Sequence, residues 1–136
     1  FPASVPAGSQ YNVTVATQPQ NPDQTCAVSG GAGTASSNVT SVSVTCTTAS
    51  FSIGGTISGI TGAAGIVLLQ NNGADNLPLS NDGAFTFATP VPSGSTFNVT
   101  IAAQPNDRTC SIQNGTGVVG NANVTNVAVT CVPIIE

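Results

Sequence analysis

Residues 12–26 read NVTVATQPQNPDQTC, and residues 98–110 read NVTIAAQPNDRTC. Both open on the apolar/polar alternation of a β-strand, pass through a Gln-Pro turn and end on a Thr-Cys pair. The match extends in both directions. FPASVPAGSQYNVTVATQP (1–19) aligns with FATPVPSGSTFNVTIAAQP (87–105). After a two-residue length difference in the next turn, TCAVSGGAG (25–33) aligns with TCSIQNGTG (109–117), and NVTSVSVTC (38–46) with NVTNVAVTC (123–131). The chain therefore repeats one structural unit.

The second copy also has a front half, SIGGTISGITGAAGIVLLQNNGADNLPLSNDGAFTF (52–87), to which nothing in the first copy corresponds. Two domains are expected: residues 1–47 as the C-terminal half of a β-sandwich, and residues 48–136 as a complete repeat with a C-terminal tail. A half sandwich leaves apolar faces and sheet edges uncovered.

Alternation places Tyr11, Val13 and Val15, and in the second copy Phe97, Val99 and Ile101, toward a core. Further strands are predicted over residues 25–29, 42–47, 52–58, 65–70, 84–88, 109–113 and 127–131. The segments NNGADN, SNDG, PSG and NGTG read as turns. No stretch has a sustained helical period. The predicted class is all-β, with immunoglobulin-like β-sandwich repeats, one complete and one half unit.

Composition narrows the functions. Of 136 residues one is basic, Arg108, and five are acidic, giving a net charge of −4. Phosphate backbones and anionic membranes are held by several cations, so nucleic acid is excluded as a partner. The longest apolar run, residues 66–69, falls far short of the roughly 20 residues of a membrane-spanning helix, so no membrane insertion is expected. Surfaces with so few charges repel one another weakly and tend to associate. With no Met in the chain, Phe1 is expected to follow processing or to open an excerpt of a longer protein.

Four cysteines allow three pairings. A repeated unit should repeat its bridge, which selects Cys26 with Cys46 and Cys110 with Cys131. Cys46 shares parity with Val42 and Val44, and Cys131 with Val127 and Val129, so both are expected to point inward. Zinc would need paired CxxC spacing or histidines, and the chain has neither. Two bridges imply an oxidising, extracellular or cell-surface location.

Neither His nor Lys is present, and the bridges would leave no free thiol, so Ser-His-Asp, Cys-His and Schiff-base catalysis are excluded. Asp75 and Asp82 are a carboxylate pair in principle, but both sit in turn sequences where Asp bonds locally. With Asn71, Asn72, Asn76 and Asn81 they offer oxygen donors of the calcium type, without the spacing of an EF-hand loop. No catalytic residue, metal or cofactor is expected. Arg108 beside Asp107 reads as a solvated turn residue. Asn12, Asn38, Asn98, Asn114 and Asn123 each begin an N-x-S/T sequon.

The run GGTISGITGAAGIVLLQNNGADNLPLSNDGAFTFATPVPSGSTFNVTIAAQP, followed by paired cysteines, resembles the tandem immunoglobulin-like repeats of bacterial secreted and cell-surface proteins. It is also similar to carboxypeptidase-regulatory and transthyretin-like sandwiches, in which a GGTISG-type strand leads to an apolar strand and an NG or DG turn. The resemblance covers residues 52–131 as a full unit and 1–46 as a partial one. It implies a spacer, stalk or fibre role.

The expected function is an extracellular, self-associating subunit of a surface fibre or filament, its half sandwich completed by strand complementation from an identical chain. The tail Val132, Pro133, Ile134 and Ile135 sits where a next repeat would begin and is the expected strand donor. The alternatives are a stalk segment of a large adhesin, and a carbohydrate-binding module. The latter is disfavoured because its stacking residues are confined to Tyr11 and five Phe.

Overall fold

The structure, a computed structural model, describes residues 1–135. Every regular element among them is a strand. The chain divides into two compact units, one of Phe1–Ala49 and one from Ser50 onward. The division falls two residues past the boundary expected between residues 47 and 48.

Unit 2 contains β5 (Ser50–Phe51), β6 (Ile53–Ser58), β7 (Val67–Asn71), β8 (Ala74–Leu79), β9 (Gly83–Thr86), β10 (Val91–Pro92), β11 (Thr96–Ala103), β12 (Arg108–Gln113), β13 (Thr116–Val118) and β14 (Val124–Pro133), numbered to follow the four strands of unit 1 given below. Two four-stranded sheets form, in the orders β13-β11-β7-β8 and β12-β14-β6-β9, and β5 pairs with β10. Each large sheet is built half from the repeated segment and half from the front segment. The alternating residues Val67, Leu69, Phe97 and Val99 of one sheet join Ile53, Ile57, Phe85, Val127, Val129 and Cys131 of the other in one buried cluster. Two sheets sharing one core is an arrangement consistent with a β-sandwich. Phe85 and Phe87 add an edge-to-face contact, with centroids 6.1 Å apart.

Two sequence expectations are corrected here. The stretch read as the turn NNGADN holds a two-residue turn at Asn72 and Gly73, both with positive φ, and then β8. A bulge at the start of β8 absorbs the positive φ of Asp75. The stretch NGTG likewise leads directly into β13. The strand expected over 52–58 is present as β6, preceded by the separate short strand β5.

Unit 1 contains β1 (Gln10–Asn12), β2 (Gln24–Ser29), β3 (Ala32–Thr34) and β4 (Ser43–Thr48), arranged as two ribbons, β1-β3 and β2-β4. Of its hydrophobic residues only Ala35 is buried. Two-stranded ribbons are marginal on their own, and the disulfide of unit 1 staples β2 to β4 within one of them.

Candidate assembly site

The repeated segments fold alike down to single hydrogen bonds. Tyr11 pairs with Gly33 in β1-β3, and Phe97 with Gly117 in β11-β13. Both glycines lie against the aromatic ring of their partner, where a Cβ would crowd it. The Val13 amide donates to the Gly31 carbonyl (2.7 Å), and the Val99 amide to the Gly115 carbonyl (2.7 Å). The Cys26 amide donates to Gln18 Oε1, and the Cys110 amide to Gln104 Oε1. The structure bonds Cys26 to Cys46 and Cys110 to Cys131, each across directly paired strands. No described cysteine is free.

Against this identity of backbone, the surroundings differ. In unit 2, β14 lies between β12 and β6, and β11 between β13 and β7. In unit 1, β4 is paired with β2 alone and β1 with β3 alone, because nothing supplies the partners that β6 and β7 provide. Two consequences follow. Val99 to Ala103 continue β11 along β7, whereas the matching residues 13–17 leave the strand after Asn12. Val129 is 1% exposed, and its counterpart Val44 is 56% exposed. Cys131 is buried at 3%, while Cys46 is exposed along with the whole of β4. The expectation that Cys46 points into a core is thus corrected, since its parity is right but no second sheet layer covers that face. Val13, Val15 and Val42 are half-buried. An open cavity of about 490 Å³ is lined by all six residues of β1 and β3, Tyr11 included.

The tail is partly engaged within its own unit. Val132 and Pro133 are the last residues of β14, paired with Thr109 and Arg108, and the Ile134 amide donates to the Asp107 carbonyl. A donor strand starting at Val132 would have to leave its own sheet first. Ile135 is 93% exposed, and Glu136 lies outside the described residues.

The polar residues singled out from the sequence hold the scaffold. Asp82 accepts from the Ile60 (2.8 Å) and Thr61 (3.1 Å) amides, and its own amide donates to the Thr61 hydroxyl. The backbone amides of Ile60, Thr61 and Gly59 hold its carboxyl below the usual carboxylate range. Asp75 instead accepts from the Thr89 amide, so the two carboxylates serve different loops. Asn71 is buried and accepts from the Asn98 amide; Asn72 donates to the Thr96 carbonyl. No group of three or more His, Cys, Asp or Glu able to hold a metal is found among the described residues.

Arg108 is not a solvated turn residue. Its side chain is 15% exposed, its Nε donates to the Gly59 carbonyl, and its Nη1 pairs with Asp107 Oδ2 at 2.9 Å. Asp107 in turn accepts from the Ala64 amide. Sequence reading passed over Gly54, Gly55 and Gly59, although a Gly-Gly pair between isoleucines in a strand is a signal of close backbone approach.

The chain has no significant match among protein-family models, curated proteins or solved structures.

Proposed function

We propose that this chain is an extracellular structural protein, a self-associating subunit of a surface fibre built from disulfide-stabilised β-sandwich repeats. One observation carries the reading. Two segments of nearly identical sequence form the same strands, and in unit 2 Val129 and Cys131 are covered while in unit 1 Val44 and Cys46 are bare. A strand with an unpaired edge and exposed apolar side chains is a surface that gains from a partner strand. The bridges support a location where disulfides persist.

Electron microscopy of native, unreduced protein, with sedimentation at several concentrations, tests it. Regular filaments and concentration-dependent association are the expected result. A dispersed monomer up to millimolar concentration would overturn it.

A second reading, a stalk segment within a longer adhesin, is favoured by a count. The chain holds two copies of the repeated back half and one front half, as a stretch of a continuous array would.

A further inference from the structure

We infer that unit 1 is an acceptor for one kind of segment: a front half of the type formed by residues 50–87, entering with a strand parallel to β4 that carries two glycines four residues apart. The inference rests on the reading above of unit 1 as an uncovered half sandwich and deepens it by naming the direction and chemistry of the partner strand; a further front half in a longer array, the second reading above, would supply it without opening unit 2.

Unit 2 shows what covers this face. β6 runs parallel to β14, with Ile53 beside Val124, Gly55 beside Val127 and Ile57 beside Val129. At Gly55 a Cβ would run into the carbonyl oxygen of Val127, and at Gly59 into that of Cys131. Gly59 also has a φ of +83°, which side-chain-bearing residues rarely adopt. Both obstructing groups are backbone and cannot swing aside. The repeat places the same two carbonyls at Val42 and Cys46 of unit 1. A strand laid along β4 in this way therefore needs glycine at the matching two positions. The same segment would then offer a second strand, as β7 does, to run antiparallel along residues 13–17 in the manner of Val99 to Ala103.

Two other occupants fit less well. This chain's own residues 50–87 already complete unit 2, so the segment must come from another stretch of polypeptide of the same pattern. The tail of a second copy, Val132 to Ile135, has no glycine and contains Pro133, which lacks a backbone donor; Val132 and Pro133 are engaged in β14.

The test places a second copy of residues 50–86 directly before Phe1. No linker is required, because in unit 2 Thr86 runs straight into Phe87, the residue that aligns with Phe1. Amide hydrogen exchange at residues 13–17 and 43–48 is expected to slow by about 100-fold or more relative to the unextended chain. Gly55→Val with Gly59→Val, made only in the added copy, should return the unextended rates and leave unit 2 untouched. As a second format, a synthetic peptide of residues 50–87 is titrated into the unmodified chain, with a peptide of residues 132–136 in parallel. Protection that survives the glycine substitutions, protection by the tail peptide alone, or no protection in either format overturns the inference. Filaments without protection would sink this inference alone, and protection without filaments would sink the fibre reading alone.

Discussion

Val44→Ala and Val129→Ala form a matched pair, because the two residues occupy equivalent positions in strands of nearly identical sequence. Removing two carbon groups from Val129, 1% exposed in the core, forfeits about 1.6 kcal/mol of transfer free energy at roughly 0.8 per group. The cavity left behind adds about 1 kcal/mol at roughly 24 cal/mol per Å³ of a space near 40 Å³. The expected cost to unit 2 is therefore about 2.5 kcal/mol. Val44 is 56% exposed, so less than half of that transfer is at stake and no enclosed cavity forms. Its expected cost is about 0.7 kcal/mol on the same scale. The assay is urea unfolding of dispersed protein. Tyr11 is the single tyrosine and there is no tryptophan, so tyrosine emission follows unit 1, while resolved amide resonances follow unit 2. Equal costs at the two positions would refute the reasoning, because they would mean that unit 1 has a closed core of its own. If assembly or the added front half covers β4, the cost of Val44→Ala should rise toward that of Val129→Ala.

Four further outcomes follow from the same geometry. Cys26–Cys46 should be reduced before Cys110–Cys131, because Cys46 is exposed and Cys131 is buried; timed alkylation and mass spectrometry read the order, and the reverse order would contradict the burial difference. Loss of the second bridge, which spans 21 residues, should cost about 3 kcal/mol by loop-closure entropy, measured on a Cys110→Ser, Cys131→Ser double variant. Gly55→Ala should destabilise unit 2 by about 3 kcal/mol or more through the clash with the Val127 carbonyl, whereas Gly120→Ala, with open space around it, should stay within about 0.5 kcal/mol. Asp82 has a folded-state pKa lowered from 3.8, so it stabilises above that value and the contribution fades as pH falls through the lowered one. Asp82→Asn should flatten the acid limb of unit 2 stability below about pH 4, and an unchanged limb would remove Asp82 as its source.

What the sequence by itself determined is the part of the protein whose interactions lie inside the duplicated segment. The repeat at residues 12–26 and 98–110, the turn residues and the alternation together carry the all-β class and the back-half hairpins. The placement of cysteines in both copies selects the pairing that the structure contains. Hydrogen bonds such as Gly8 to Ala35 and Gly94 to Val119 recur because both partners lie within the repeated segment. Tertiary structure decided everything that depends on a neighbour distant in sequence. The parallel pairing of β14 with β6 joins residues some 70 positions apart, and no local pattern encodes it. Residues 74–79 form a strand only because β7 offers an edge, although their Asn, Asp and Pro content reads as turn. Residues 13–17 and 99–103 differ little in sequence, yet only the latter extend a strand, and Val44 and Val129 share parity but not burial. Alternation says which way a side chain points; whether that direction is core or solvent depends on whether a second layer of sheet is there to meet it.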